Sequence, residues 1–165
     1  YEIVPGVTAA LGAAAYAGIP LTARGYATAV RLLTYYKSDI VPDQYWEELA
    51  RTSDTLVFYM SAETVEGIVS KLIRYGIAQD RHIAVIEQGT TPLQQVYTSG
   101  IYEFTNKFEG YSFISPSLVI VGKVVGLHEQ FAWLANASVR EQYFKPMASL
   151  QSNINHNKKA HVSRA

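Results

Sequence analysis

Short apolar runs alternate along this chain with segments of helical periodicity, and this alternation restricts the possible folds more than any other feature. The run TLVFYM, residues 55–60, is continuous and apolar, as in a strand that is buried on both faces. The next segment, residues 62–75, has apolar side chains at helical spacing, with Ser61 as a candidate N-cap and Gly76 as a stop. These residues predict a strand, a tight turn and a helix in succession.

The alternation extends over most of the sequence. Strands are predicted at 30–36, 82–88 and 117–125, and residues 93–100 are predicted to form a hairpin with the strand at 82–88. Helices are predicted at 43–51, with Asp43 as its cap, at 101–108 and at 127–134. The order is β-α-β-α-β-β-α-β-α behind an N-terminal helix. We therefore expect an α/β layered domain, with a mixed sheet and flanking helices.

Composition narrows the function classes. The 165 residues carry equal numbers of acidic and basic side chains, and the basic ones are scattered, which argues against a nucleic-acid partner. The absence of cysteine excludes disulfides, thiolate nucleophiles and cysteine-ligated metals. Neither a signal peptide nor a membrane-spanning apolar run is evident, so we expect a cytoplasmic protein without a membrane partner.

The two ends of the chain differ from its centre. Tyr1 leads directly into an apolar, β-branched run, so we expect the chain to be cut from a longer protein. From Gln151 onward the sequence is polar and lacks periodicity, as in a mobile tail. The expected organisation is one domain over residues 1–145 and a disordered tail over 146–165.

Three loops are candidates for ligand binding, because ligands of open α/β sheets bind beyond the carboxyl ends of the strands. They are the turn at Met60, the EQGTT turn around Gly89, and PGVTAA at the start of the first helix. Each also has a plainer interpretation: Met60 as core filler, Gly89 as a turn glycine, and Thr8 as a helix cap with Val7 as a hydrophobic staple.

The helix after Thr8 consists largely of alanine and glycine, which lets a flat ligand or another backbone approach closely. Close packing of that helix on the sheet would explain the same composition. Catalytic motifs are missing: there is no G-x-S-x-G, G-x-G-x-x-G or P-loop, and the four histidines lack metal-ligand spacing (His82, His128, His156 and His161). We expect neither a metal site nor a catalytic side chain here.

Four stretches carry a resemblance to a known family: VPGVTAALGAAAYAGIPLTARGYA, TLVFYM, AVIEQGTTPLQQV and SPSLVIVGKVV. In order and spacing they resemble the C-terminal half of the tetrapyrrole (precorrin) methylases, and among these the members that methylate uroporphyrinogen III. The resemblance spans residues 1–134. It implies a fold of two α/β domains with S-adenosylmethionine in the cleft between them, and a homodimer. It also implies methylation of uroporphyrinogen III at C2 and C7 to precorrin-2, on the branch toward sirohaem and cobalamin.

The resemblance also implies a set of site residues. The contacts with S-adenosylmethionine would be made by Thr8, Ala9, Met60 and Gly89. The carboxylates of the substrate would be bound by basic side chains, for which the candidates are Arg24 and Arg31, with Lys37 as a third. A solvated surface is the plainer explanation for these three.

The chain departs from the family pattern in two ways. The N-terminal domain of the family, with its glycine-rich cofactor loop, Gly-Gly-Asp stretch and proton-transfer residues, is not in this sequence, so we expect the chain to be inactive without that domain as a partner. Ala23 and the pair Tyr35-Tyr36 replace residues of the usual Leu-Thr-His-Arg and Thr-Gly-His patterns.

Two alternative functions stay open: a methylase of the same fold acting on a later cobalamin precursor, ribosomal RNA or diphthamide, and a non-catalytic dimerisation or ligand-binding module.

Overall fold

The fold is an α/β arrangement in which one mixed sheet is covered on both faces. The computed structural model describes residues 1–34, 42–59 and 65–144. The helices are α1 (Ala9–Tyr16), α2 (Asp43–Arg51), α3 (Val65–Arg74), α4 (Phe104–Lys107) and α5 (His128–Phe131), with a 3-10 helix at Lys123–Leu127. The strands are β1 (Val30–Thr34), β2 (Thr55–Tyr59), β3 (His82–Glu87), β4 (Gln95–Gly100) and β5 (Ser117–Gly122). The predicted fold class and order of elements are confirmed.

The sheet has the strand order β1-β2-β5-β3-β4. Strands β1 and β2 pair in parallel, while β5 is antiparallel to both β2 and β3. Strand β3 therefore runs in the same direction as β1 and β2. The predicted hairpin is present as β3 and β4, which pair antiparallel from His82 to Glu87. The carboxyl ends of β1, β2 and β3 consequently lie at one edge of the sheet.

Each face of the sheet has its own hydrophobic core. On one face, α2 and α3 bury large side chains, including Trp46 and Leu72, against Leu56 and Phe58 of β2. On the other face, α1 contributes mainly alanines, which pack with Val57 of β2 and the neighbouring strands. Residues that alternate along β2 point to opposite faces, which explains why its run is continuously apolar.

Some boundaries differ from the sequence predictions. Asp43 is the first residue of α2 rather than its cap, and the capping position is taken by Pro42 without a side-chain hydrogen bond. The strand predicted to reach Val125 ends at Gly122, because the 3-10 helix starts there. The predicted helices at 101–108 and 127–134 shorten to α4 and α5. The predicted staple is wrong, since Val7 is largely exposed.

Other predictions are confirmed or lie outside the described residues. Gly76 ends α3 in the left-handed conformation, with a φ of 78°, and Ile77 N donates back to Leu72 O. The candidate cap Ser61 and the tail at 146–165 lie outside the described residues. Within the described residues, no helix has the length and apolar character needed to cross a bilayer.

Candidate ligand site at the carboxyl edge of the sheet

At the carboxyl edge of the parallel strands, the turn after β3 packs on α1, and Thr8 at the start of α1 is hydrogen-bonded to the end of β2. The ends of the strands are aligned, because Thr34 of β1 pairs with Tyr59 of β2, and Tyr59 pairs with Leu118 of β5. Leu118 in turn pairs with Ile86, one residue before β3 ends. Chain segments that leave β2 and β3 thus emerge on the same side, where ligands bind in open α/β sheets.

Helix α1 begins at this edge. Thr8 is its N-cap, as predicted, and the Thr8 hydroxyl accepts a hydrogen bond of 3.4 Å from Ala10 N. The same hydroxyl is hydrogen-bonded to the phenol of Tyr59, at the end of β2. Ala9 is the first helical residue, and its small side chain is exposed. The amide of a first helical residue has no carbonyl partner within its helix, so this helix start offers small side chains and a backbone donor.

The turn after β3 packs directly against α1. A Cβ built on Gly89 would lie 2.8 Å from Ala13 Cβ and 3.4 Å from Ala13 Cα. Only glycine at one position and a small residue at the other permit this approach. The alanine-rich helix therefore packs closely against the turn after β3, which is one of the two interpretations that the sequence allowed. It also places the Gly89 turn against the helix that Thr8 caps.

The same turn has a strained backbone. Gln88 has a φ of 48° and Thr90 a φ of 67°, both in the left-handed region. Residues other than glycine seldom adopt this region, and a β-branched residue such as Thr90 is a marked outlier there. Hydrogen bonds hold the turn, from Gln88 N to Pro116 O at 2.7 Å and from Thr90 N to Gln94 Oε1 at 2.8 Å. Strain that is maintained in this way is common at functional sites.

The two predicted substrate-binding arginines have different surroundings. Arg31 lies in the first half of β1, toward the opposite edge, where it donates to Glu48 and, at 2.8 Å, to Asp54 Oδ2. Hydrogen bonds to Glu48 and then Asp54 raise the pKa of Arg31, and the bond from Arg31 lowers the pKa of Asp54. Arg31 therefore lies away from the candidate site. In addition, its charge is already paired with two carboxylates.

Arg24 is exposed in the loop between α1 and β1, beside Gly25 with a φ of 82°. The ion pairs found within the described residues do not include Arg24. Met60 and Lys37 lie outside the described residues, so the structure does not show their positions. No group of metal-ligating side chains is present in the three described segments.

Sequence reasoning missed several residues of this site. Tyr59, which binds Thr8, lies within the quoted TLVFYM run, and its position at the end of a buried strand was the available signal. Glu87 is fully buried under the turn, and Arg140 binds it with Nη2 2.8 Å from Oε1. Arg140 lies in an aperiodic polar stretch, which gave no signal for this contact.

Comparison with known proteins identifies the class that this fold and site define. A model of the tetrapyrrole (corrin/porphyrin) methylases matches residues 1–105. The chain belongs to the tetrapyrrole methylase family. Among curated proteins, the siroheme synthase of Acinetobacter baylyi is 42% identical over 134 residues, or 81% of this chain and 29% of that protein. The siroheme synthase of Neisseria meningitidis (strain FAM18) is 41% identical over 141 residues, or 86% of this chain and 29% of that protein.

A solved structure agrees with these sequence matches. The uroporphyrin-III C-methyltransferase of Thermus thermophilus, in complex with S-adenosyl homocysteine, superposes with a TM-score of 0.59 and 30% identity. The match covers 75% of this chain and 51% of that one. The chain therefore spans under a third of the curated relatives and about half of the solved methyltransferase.

Proposed function

We propose that the protein containing this sequence is an S-adenosylmethionine-dependent C-methyltransferase that methylates uroporphyrinogen III at C2 and C7 to give precorrin-2. Family membership supports the reaction class, and the names of the relatives above support the substrate. The structural observation that carries the proposal is the packing of the Gly89 turn on α1, the helix that Thr8 caps beside the end of β2, at the edge of the sheet where ligands of such folds bind. The activity is proposed for the protein at its natural length.

The residues at this edge fit one side of a methyl donor. The exposed methyl group of Ala9 leaves room beside the start of α1, where Thr8 and Tyr59 present hydroxyls. The backbone of Gly89 lies against Ala13, so its contribution would come from the amide and carbonyl groups of the turn. Met60 follows Tyr59 directly in the sequence and is the fourth proposed contact.

The chemistry asks little of these side chains. S-adenosylmethionine supplies a methyl group that its sulfonium centre already activates, as cofactors commonly supply the reactive group. The protein's main task is then to hold donor and carbon nucleophile in line and to exclude water. Small residues, hydroxyls and backbone groups suffice for that task, which agrees with the lack of a catalytic motif in the sequence.

Substrate recognition is proposed to use positive charge. The carboxylates of uroporphyrinogen III require basic partners, and guanidinium groups bind carboxylates in a bidentate manner. Arg24 is exposed and is the candidate for this role, whereas Arg31 already forms ion pairs with Glu48 and Asp54. The N-terminal domain, the homodimer and the cytoplasmic location belong to the proposal on the strength of the resemblance alone.

The assignment is tested with the natural-length protein under anaerobic conditions, with uroporphyrinogen III and S-adenosylmethionine. We expect precorrin-2 as the product. Methylation of a different tetrapyrrole, of ribosomal RNA or of diphthamide in a substrate panel, without precorrin-2, would overturn the substrate assignment. Failure of the folded protein to bind S-adenosylhomocysteine would overturn the function itself.

A matched pair of variants tests the location of the site. Ala9→Leu extends a side chain over the start of α1, so we expect the KM for S-adenosylmethionine to rise by on the order of tenfold or more. Ala15→Leu places the same change on an exposed residue at the other end of the helix, where we expect no change in KM. Equal KM values for both variants would exclude the helix start as the cofactor site.

A further inference from the structure

Residues 136–143, here called the strap, form neither helix nor strand. Hydrogen bonds attach the strap at three places: strand β4, the turn after β3, and the last residue of β3. The first attachment is to strand β4. The side chain of Asn136 pairs with the backbone of Val96, accepting from Val96 N at 2.7 Å and donating to Val96 O at 3.0 Å. Ala137 N donates to Gln94 O at 3.1 Å. These bonds attach this end of the strap to β4, which is the outermost strand on this side of the sheet.

The second attachment is to the turn itself. Gln88 is 1% exposed, and its side-chain amide binds the strap backbone on both sides of Gln142. Gln88 Nε2 donates to Glu141 O at 2.8 Å, and Tyr143 N donates to Gln88 Oε1 at 2.6 Å. Two bonds from one planar amide fix its orientation. Because the backbone of Gln88 is in the left-handed region, these bonds hold the turn at its strained residue.

The third attachment is an ion pair just before the turn. Glu87 is 0% exposed and ends β3, and its carboxylate accepts from Arg140 Nη2 at 2.8 Å and from Ile114 N at 2.7 Å. Arg140 also donates to Ser112 O at 2.5 Å, and its guanidinium lies 4.5 Å from the centre of the Tyr111 ring. A buried carboxylate requires such a partner, because an unpaired charge in the interior is very costly.

We propose that the strap is a positioning element for the cofactor turn at Gln88, Gly89 and Thr90, and that Gln88 and Arg140 are its positioning residues. The proposal rests on the proposed function, in which this turn contacts S-adenosylmethionine. The strap binds the residues on which the turn begins, Glu87 and Gln88, whereas Gly89 faces α1. Helix α1 and the strap thus hold the turn from two directions.

The test uses the natural-length protein with Gln88→Met, which keeps the length of the side chain and removes both amide bonds without leaving a buried charge. We expect the KM for S-adenosylmethionine to rise by on the order of tenfold, as for loss of buried hydrogen bonds, with little change in kcat. The matched control is Gln142→Ala on the same strap, whose exposed amide binds Ser115 O at 2.9 Å rather than the turn. Its KM should stay at the wild-type value.

Arg140→Lys is a graded second variant, since lysine keeps the charge opposite Glu87 but loses the bidentate contact that Nε and Nη2 make with the Glu87 carboxylate. Its KM should lie between those of wild type and Gln88→Met. Hydrogen exchange of the Thr90 and Thr91 amides, measured without cofactor, should be faster in Gln88→Met than in Gln142→Ala. A merely structural role elsewhere would lower the melting temperature without this local effect.

The outcomes separate the two proposals. If wild type binds S-adenosylhomocysteine but Gln88→Met and Gln142→Ala share the same KM and the same exchange rates, the positioning role is overturned. If wild type does not bind S-adenosylhomocysteine, the proposed function falls. Faster exchange at Thr90 in Gln88→Met would then still show that the strap holds the turn, and unchanged exchange would overturn that as well.

Discussion

The two faces of the sheet are packed by opposite means. Helix α1 contains no charged residue and buries only alanines, which bring its backbone close to the turn at Gly89. Helices α2 and α3 bury large side chains such as Trp46, Ile68 and Leu72 and carry charge on their outer surfaces. Large side chains supply most of the hydrophobic free energy, whereas small ones allow backbones to meet. The candidate site lies on the face with the small residues.

Because of this difference in side-chain size, the two faces contribute differently to the stability of the fold and to the shape of the site. Burying a leucine side chain contributes about 1.5–3 kcal/mol, and an alanine contributes far less. We therefore expect most of the free energy of folding to come from the α2 and α3 face. On the α1 face, changes of a single methyl group should matter for the shape of the site.

The largest effect is expected for Leu72→Ala on α3, where the side chain is 0% exposed. The lost burial and the cavity should reduce the free energy of unfolding by about 3 kcal/mol, measured by denaturant titration. Leu11→Ala is the control on α1, where the leucine is 54% exposed, and it should change stability by less than about 0.5 kcal/mol. Equal losses for the two variants would contradict the distinction between the faces.

An intermediate effect is expected for Gly89→Ala. The backbone of Gly89 is not in the left-handed region, so the cost comes from the clash of the new Cβ with Ala13, 2.8 Å away. We expect a loss of about 1–3 kcal/mol in the free energy of unfolding and weaker binding of S-adenosylhomocysteine. Adding Ala13→Gly should restore part of both losses, measured as a double-mutant cycle.

Gly12→Ala provides the matched control for that variant. A Cβ on Gly12 would meet only Thr90 Cγ2, at an ordinary distance of 3.5 Å. Because alanine favours helix over glycine, Gly12→Ala should raise the free energy of unfolding by up to about 1 kcal/mol. A Gly89→Ala variant as stable as wild type would show that close packing of α1 does not govern this face, and a destabilised Gly12→Ala would contradict the room found beside Gly12.

The smallest effect is expected for Asp54→Asn, which tests the charges of the α2 face. The bond from Arg31 lowers the pKa of Asp54 below its ordinary value of 3.8 in the folded state. Its stabilising contribution is therefore complete above about pH 4 and is lost as the pH falls through the folded pKa. At pH 7 the variant should be less stable by under about 1 kcal/mol, and the difference should shrink in acid.

Replacing Arg31 supplies the control. In an Arg31→Met background, Asp54→Asn should produce a much smaller pH-dependent difference between pH 2 and 7, because the bond that lowers the pKa of Asp54 most is gone and only the weaker bond with Thr52 remains. Thermal unfolding across that range measures both pairs of proteins. A gap that persists undiminished at pH 2 in the wild-type background would contradict the role assigned to the Arg31 bond.

Local patterns predicted most of the elements. The helix predicted at 43–51 coincides with α2, because Trp46, Leu49 and Ala50 form one apolar face while charged residues occupy the other. Contacts between residues far apart in the sequence were harder to predict from local patterns. The run Ser117 to Val125 reads as one strand, since Val124 and Val125 are apolar, but these two residues turn into a 3-10 helix and cover the α1 face. A local pattern does not distinguish these two ways of burying a valine.

The candidate site was predictable where it depends on loops at strand ends. The loops of Thr8 and Gly89 were selected by their places at a helix start and after a strand, whereas their role as cofactor contacts came from the family resemblance and stays a prediction. The contact of Gly89 with Ala13 and the ion pair of Glu87 with Arg140 were not predictable. They join residues 76 and 53 positions apart, and neither lies in a repeating pattern that would indicate its partner.

Strand β5 has a consequence for how the molecule is assembled. It is the last of the described strands, yet it lies between β2 and β3, and within the described residues it is the one link between the two parts of the sheet. Before Ser117 has been synthesised, the described strands can form the β1–β2 ribbon and the β3–β4 hairpin, each with an uncovered edge. Joining these two ribbons requires contacts between residues far apart in sequence, which slows folding. The loops after β2 and β3 are thus brought to the same edge of the sheet late in folding.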